Sequence, residues 1–329
     1  MKYTITENEA NQRVDRFCRK YFKNTPEVKL GDIFSWIRKW AIRVNGKKTK
    51  ENTRLTLGDS ISRNDAIETE KSALDVTKTK EEKVASYSID AIRPHLIYED
   101  DRRLVWNKPT GFLTHPWQKN TTNITMHEML QSYLQQTWAR PESETFKPSF
   151  CFRLDKDTSG VLIAAKSYEA LQLLNQRIRD RQVSKLYKAI VTWHPKPQLI
   201  DAPLFTGYDK KSWRSKVFVN KELWKTAKSE IVDVQYFKDT TLGNYSLISV
   251  KITTWRTHQI RVHCTSIGHP IIWDLTYGIP PLNRLAKKHY GIVRQLLHSY
   301  EYGFYDDIQE VDQQFTAGLP EEFVKLIKK

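Results

Sequence analysis

A wholly apolar run, Val161-Leu162-Ile163-Ala164-Ala165, constrains the fold of this chain more than any other feature. A short run with no polar residue is the pattern of a strand buried on both faces. A dense charged segment, Arg153-Leu154-Asp155-Lys156-Asp157, stands just before it. Thr158, Ser159 and Gly160 then supply turn chemistry, because hydroxyls bond nearby backbone and glycine tolerates positive φ. After the run, Ser167 is an N-cap candidate for a helix with Leu171, Leu174 and Ile178 at helical spacing. The charges thus sit on a loop at the mouth of a rigid strand, a setting in which reactive groups are often placed. On the residues alone, the plainer reading is a turn with solvated aspartates beside a core strand.

The stretch from Arg153 to Gly160 resembles the active-site motif of the RluA-type pseudouridine synthases: Arg-Leu-Asp, two variable residues, Thr, Ser or Thr, Gly. Further segments carry the same resemblance. Asn107-Lys108-Pro109-Thr110-Gly111 is similar to the family's Asn-Lys-Pro-x-Gly. Lys185-Leu186-Tyr187-Lys188-Ala189-Ile190-Val191 alternates like a strand and is similar to its second motif. Arg256-Thr257-His258-Gln259-Ile260-Arg261-Val262-His263 is similar to its third. The resemblance implies an α+β catalytic domain with a mixed, mainly antiparallel sheet. It implies that Asp155 is the catalytic nucleophile or base, that Tyr187 stacks on the target base, and that Arg261 pairs with Asp155. Arg153 would help displace the base from its stack. The Asn107–Gly111 segment would be structural, with Pro109 and Gly111 shaping a loop beneath the site, or, alternatively, Lys108 would meet a phosphate.

Three departures from the family pattern stand out: Phe152 where His is usual, and Trp255 and Trp273 where Gly is usual. They bear on the shape of the substrate pocket.

The 329 residues suffice for one large and one small domain, and a hydrophobic fraction of 39% supports a core. The net charge of +15 points to a polyanionic partner, with a merely basic soluble protein as the alternative. No apolar run approaches a membrane span, and Met1-Lys2-Tyr3-Thr4 does not open a signal peptide. Cys18, Cys151 and Cys264 are too scattered for a zinc site or a disulfide framework, so a reducing cytoplasm is expected. His258, His263 and His269 lack the spacing of a zinc helix. No metal and no small-molecule cofactor are expected.

Residues 1–63 read as a small unit. Val14, Phe17, Cys18, Tyr21 and Phe22 mark one helical face, and Asp32 is a cap candidate for a second helix. Ile42-Arg43-Val44-Asn45-Gly46-Lys47 reads as a strand entering an Asn-Gly hairpin turn. With Gly58-Asp59 this order resembles the alpha-L RNA-binding domain of the ribosomal-protein-S-four type. The resemblance implies that Arg13, Arg16, Arg38, Lys39, Arg43, Lys47 and Lys48 meet RNA phosphates. Residues 64–92, charged and without apolar periodicity, read as a linker, and 93–329 as the catalytic domain. Lys210-Lys211-Ser212-Trp213-Arg214-Ser215-Lys216 is either a single-strand RNA surface or a solvated loop.

The expected reaction is isomerisation of uridine to pseudouridine in RNA, with large-subunit ribosomal RNA or a pre-ribosomal particle as partner. A tRNA-directed synthase and a non-catalytic RNA-binding or ribosome-assembly protein of the same fold are the alternatives. Thr257 is the expected cap of the helix that carries Ile260, Cys264 and Ile267, with Gly268 just past its end.

Overall fold

The computed structural model describes residues 2–23, 25, 28, 30–63, 93–116, 124–138, 146–209, 214–219 and 226–328. The linker reading of 64–92, and residues 210–213 of the basic stretch, lie outside these residues.

The chain opens with β1 (Lys2–Thr4), α1 (Val14–Tyr21), α2 (Leu30–Arg38), β2 (Ile42–Val44), β3 (Lys47–Lys48) and β4 (Ser60–Arg63). The strands make a four-stranded antiparallel sheet in the order β1-β4-β2-β3. Asn45 and Gly46 both have positive φ, 52° and 73°, the backbone that a tight turn between β2 and β3 needs. Helix α1 turns Val14, Phe17 and Cys18 onto a core shared with Ile33, Ile37, Ile42 and Ile61. Asp32 lies inside α2 (Leu30–Arg38) and not at the residue before it. It lies in the first turn, where its charge still complements the helix N-terminus.

The larger part follows: β5 (Leu96–Glu99), β6 (Arg103–Lys108), α3 (Met126–Thr137), β7 (Ser149–Phe150), β8 (Ser159–Ala165), α4 (Tyr168–Arg179), β9 (Val183–Thr192), β10 (Gln198–Asp201), β11 (Leu204–Asp209) and β12 (Arg214–Val219). Then come β13 (Lys228–Asp239), β14 (Gly243–Ile252), α5 (Gln259–Ser266), α6 (Pro280–Tyr290), β15 (Leu297–Asp306), β16 (Val311–Thr316) and α7 (Glu321–Ile327). One large sheet runs β10-β13-β14-β9-β15-β8-β6-β5, with β16 on β15 and β7 on β8. Among the described strands only β8 and β15 pair in parallel, so the sheet is mixed and mainly antiparallel. Strand β8 is buried at every residue, as its apolar run requires.

Local signals set the helices that flank this sheet. Thr125 and Glu128 form a reciprocal capping box at the start of α3, whose Met126, Met129, Leu130, Tyr133 and Leu134 are buried. The Ser167 hydroxyl accepts the Ala170 N–H at 3.2 Å and starts α4. Gly160 has φ +111°, and a Cβ there would lie 2.1 Å from the Ser299 carbonyl oxygen. Glycine is what lets β8 meet β15. No residue of the core around α1 and α2 belongs to the core of the large sheet. Arg16 nonetheless lies 5.6 Å from the Tyr168 ring centroid, and Lys20 lies 5.5 Å from that of Phe146.

Candidate active site

The charged loop before β8 is held from below by buried groups. Lys108 has no exposed surface, and its ammonium donates to the carbonyls of Pro109 and Lys156 at 2.9 Å and of Thr158 at 3.0 Å. Burial pushes its pKa down to about 7, against the pull of Asp157 and Asp155. All its donors are spent on backbone, so the structure selects the loop-shaping role over the phosphate role. Thr114 adds a reciprocal pair, donating to the Leu154 carbonyl at 3.0 Å and accepting the Leu154 N–H at 3.1 Å. Gln295 donates to the Thr158 hydroxyl at 2.8 Å. Asp155 therefore stands on backbone fixed at Leu154, Lys156 and Thr158.

Asp155 faces an open cleft whose lining includes Arg153, Tyr187, Trp255, His258 and Arg261. The structure thus brings together all the catalytic residues expected from sequence. Arg261 is buried and bridges two carboxylates. Its Nη1 donates to Asp155 Oδ2 at 2.9 Å, while Nε and Nη2 donate to Asp274 Oδ2 and Oδ1 at 2.6 and 2.9 Å. Burial works against the charge of Asp274. Arg261 and the N–H groups of Tyr277 and Thr276 outweigh it and hold the carboxyl below its usual range. The same two carboxylates overcome burial at Arg261 and raise its pKa further. Tyr187 lies on β9, opposite Val250 on one side and Ser299 on the other, and is 4% exposed with part of its ring on the cleft. Burial pushes its phenol pKa up, against a hydrogen bond with Ser299. Arg153 is exposed at the mouth.

His258 was not given a role by sequence. It, not Thr257, occupies the N-cap of α5, in the left-handed region at φ 56° and with no side-chain capping bond. The ring is directed elsewhere. The Tyr277 hydroxyl accepts the Val217 N–H at 3.0 Å and is hydrogen-bonded to His258 Nδ1 at 2.9 Å. The His258 Nε2 lies 3.8 Å from Asp155 Oδ2. Burial, with Arg261 in the same direction and Asp155 against, lowers the His258 pKa and keeps the ring neutral near pH 7. Arg261 and His258 thus converge on one oxygen of Asp155. Among the described residues nothing donates to Oδ1.

Phe152 and Trp255 pack on each other, ring centroids 4.2 Å apart, and Phe152 stacks on Tyr302 at 5.2 Å and 7°. The ammonium of buried Lys185 sits 4.1 Å from the Trp255 ring centroid, and burial lowers its pKa to about 8. Of these two departures from the family pattern, Trp255 lines the cleft and buried Phe152 packs behind it. Trp273 does not line the cleft. It holds φ 62°, and its N–H is taken by Asn283 Oδ1 at 2.8 Å.

The basic residues expected to meet RNA fall into two sets. Asp15 takes Arg13 at 3.0 Å, together with Arg19, and Arg16 lies over Tyr168. Arg38, Lys39, Lys47 and Lys48 are exposed near the end of α2 and on the β2–β3 hairpin, and Arg43 is half-buried. Among the described residues no group of three or more His, Cys, Asp or Glu is placed to hold a metal ion. Among the same residues no helix is long and apolar enough to cross a membrane.

Residues 102–266 match the family described as RNA pseudouridylate synthase. The chain is 32% identical to the ribosomal large subunit pseudouridine synthase C of Vibrio vulnificus, over 98% of this chain and 94% of that protein. It is equally 32% identical to the protein of that name from Escherichia coli K12, over 98% and 95%. The chain belongs to the RNA pseudouridylate synthase family. It is an RNA pseudouridine synthase, an isomerase. Its fold is shared with human RNA pseudouridylate synthase domain containing 4, at TM-score 0.56 and 20% identity over 76% of this chain and 97% of that one. The human domain containing 1 protein aligns at TM-score 0.52 and 21% identity, over 71% and 92%.

Sequence reasoning on this synthase found Asp155, Tyr187 and Arg261 because each lies inside a contiguous motif. It passed over Asp274 and Tyr277. Asp274 is visible in the sequence only as the Asp after His269-Pro270 in the family pattern, with no role; its Oδ1 accepts the N–H groups of Thr276 and Tyr277 at 2.8 and 3.0 Å.

Proposed function

We propose that this synthase acts on large-subunit ribosomal RNA, in the cytoplasm, and that Asp155 carries the chemistry through Oδ1. The names of its relatives support the substrate. One observation supports the residue: among the described residues, Asp155 is the one carboxylate that lines the cleft. A target uridine inside folded RNA must leave its stack before its glycosidic bond can be reached. Arg153 fills the vacated place and Tyr187 stacks on the flipped uracil. Asp155 then attacks or deprotonates the nucleoside as a carboxylate. The C1′–N1 bond breaks, the base turns, and C1′–C5 forms. C5 loses one proton and N1 gains one, so no electron acceptor or group donor is needed. Arg261 holds Oδ2, so that Oδ1 faces the substrate.

In the same reading residues 1–63 are an RNA anchor, 64–92 a linker and 93–329 the catalytic domain. The test is Asp155→Asn, with Asp157→Asn as control, assayed for pseudouridine by carbodiimide adduct mapping on ribosomal RNA. Asp155→Asn is expected to abolish product while RNA affinity stays within about twofold. Asp157→Asn is expected to keep most activity. Product from Asp155→Asn at more than a trace of the wild-type rate ends the assignment. Product confined to tRNA moves the substrate elsewhere.

A further inference from the structure

Helix α2 ends in a manner that glycine normally serves. The Trp40 N–H donates to the Ile37 carbonyl at 3.1 Å and the Ala41 N–H to the Trp36 carbonyl at 2.8 Å. This is the double bond of a Schellman motif, with Trp40 at the position just past the cap. Its φ is +66°. A bulky side chain in the left-handed region is strained, because its Cβ crowds the following carbonyl. Packing does not offset that strain. The ring is 45% exposed and belongs neither to the core of α1 and α2 nor to the aromatics packed around it, Tyr3, Tyr21, Phe22 and Trp36. What touches the ring is a cation: Lys48 Nζ lies 4.0 Å from its centroid. Trp193 and Trp273 share the left-handed backbone, but among the described residues neither carries a cation over its ring.

Strain retained without a packing reward points to a function outside the fold. We propose that Trp40 is a stacking site for an unpaired nucleobase of the RNA. The surroundings fit that ligand. Arg38, Lys39, Lys47 and Lys48 are exposed on the same end of α2 and on the hairpin that Lys48 brings to it. An aromatic plane set among cations is how proteins hold single-stranded nucleic acid: the ring stacks on a base while the cations neutralise the backbone on either side. Helical RNA offers phosphates to the lysines but no free base face to the indole. The bound RNA therefore presents an unpaired nucleotide near the end of α2, separate from the uridine that enters the cleft. The proposal deepens the RNA-anchor reading of residues 1–63 and rests on it.

The experiment uses the full chain and two labelled probes, a short single-stranded RNA of mixed sequence and a blunt RNA duplex of equal length. Trp40→Gly is expected to weaken single-strand binding by about 5–100-fold. Duplex binding changes by less than about twofold, and the slope of log K against log salt is unchanged, because every phosphate keeps its cation. Amide exchange across α2 becomes slower by about fivefold, since glycine relieves the strained backbone. Trp40→Phe restores part of the single-strand affinity. A purely structural role would reverse the exchange readout while binding still weakens, so faster α2 exchange alongside weaker binding overturns the proposal. The double variant Lys47→Ala, Lys48→Ala tests the underlying reading separately. A flattened salt slope in that variant with unchanged single-strand affinity in Trp40→Gly overturns stacking alone. An unchanged slope together with unchanged Trp40→Gly affinity overturns the RNA anchor as well.

Discussion

At the scale of single residues, the geometry divides the two oxygens of Asp155. Oδ2 takes Arg261 Nη1 at 2.9 Å and faces His258 Nε2 at 3.8 Å. The Arg261 hydrogen bond fixes Oδ2 and with it the direction of the other oxygen. His258 stands beside Asp155 outside hydrogen-bond reach, held by Tyr277, as a positioning residue. His258→Ala should lower the single-turnover rate at saturating RNA by about 2–10-fold, the worth of an ordinary polar contact rather than a charged hydrogen bond, with RNA affinity unchanged. His258→Gln, which keeps an N–H, should recover much of the loss. Equal losses in the two variants, measured by rapid quench, would sink the positioning role. Arg261 is a harsher case. Its removal strands the fully buried Asp274 carboxylate, so Arg261→Ala should cost on the order of 3–5 kcal/mol in urea unfolding as well as activity. Arg261→Lys should recover only part, because one ammonium cannot take Asp274 bidentately and still reach Asp155. A variant Arg261→Ala as stable as the parent would contradict this account. Asp155 and Arg261 were legible in sequence because motifs carry them. The chain from Val217 through Tyr277 to His258 was not. Its three members come from β12, a turn and a helix cap, and no spacing in the sequence announces such a contact.

At the scale of elements, the parallel seam between β8 and β15 sets the height of the catalytic loop. The sequence revealed β8 as doubly buried and Gly160 as a turn glycine, yet it could not name β15 as the neighbour. A strand partner is chosen by long-range packing, which leaves no local pattern. The same limit explains why Thr257, a good capping residue by propensity, lost the N-cap of α5 to His258, whose ring is held by Tyr277 and faces Asp155. Two predictions belong to this seam. Gly160→Ala puts a Cβ against the Ser299 carbonyl at a φ of +111°, so it should destabilise the chain by about 3 kcal/mol or more in urea titrations. A loss under about 1 kcal/mol, within the ordinary range for a substitution, would show that the seam yields easily. The second concerns acid. His298 is fully buried, takes the Ser159 hydroxyl on Nδ1 at 2.8 Å, and gives Nε2–H to the Ala317 carbonyl at 3.1 Å. Burial above all pushes its pKa down to about 4. Above the ordinary histidine value near 6.5 neither state binds the proton, and the linkage is silent. Between about 6.5 and 4 only the unfolded chain binds it, so stability falls as pH falls, by roughly 3 kcal/mol in all, and levels off below. His115, also lowered to about 4 chiefly by burial, adds to the same slope, so the variant His298→Asn should flatten it without removing it. Parallel stability–pH curves for parent and variant would show that His298 is not the source.

At the scale of the whole molecule, the charge of +15 is not spread evenly over its tasks. Composition shows how many cations there are but not which remain available. Asp15 occupies Arg13 and Arg19, and Arg16 and Lys20 lie against Tyr168 of the larger part. Arg38, Lys39, Lys47, Lys48 and Lys50 are among the exposed cations at the hairpin end, and on the proposed reading they meet RNA phosphates. Deleting the first 90 residues should therefore flatten the slope of log K against log salt by a few units, at roughly 0.7–0.9 for each phosphate no longer neutralised. Affinity should fall by more than the isolated unit's own binding suggests, because two tethered sites reinforce each other through effective concentration. Chemistry should survive, since Asp155, Tyr187, His258, Arg261 and Asp274 all lie in the larger part. The deletion also uncovers Phe146 and Tyr168, now only 3% exposed, and removes cation–π interactions worth about 0.5–1 kcal/mol each. A modest drop in unfolding midpoint should accompany the weaker binding. The deciding measurement pairs salt titrations of the full and shortened chains with single-turnover rates at saturating RNA. Identical slopes would remove the RNA anchor, and a collapsed rate would place residues 1–63 in the active site itself. A flattened slope with a near-normal rate divides the work as the geometry does: phosphate binding at the hairpin end of α2, isomerisation at the mouth of β8.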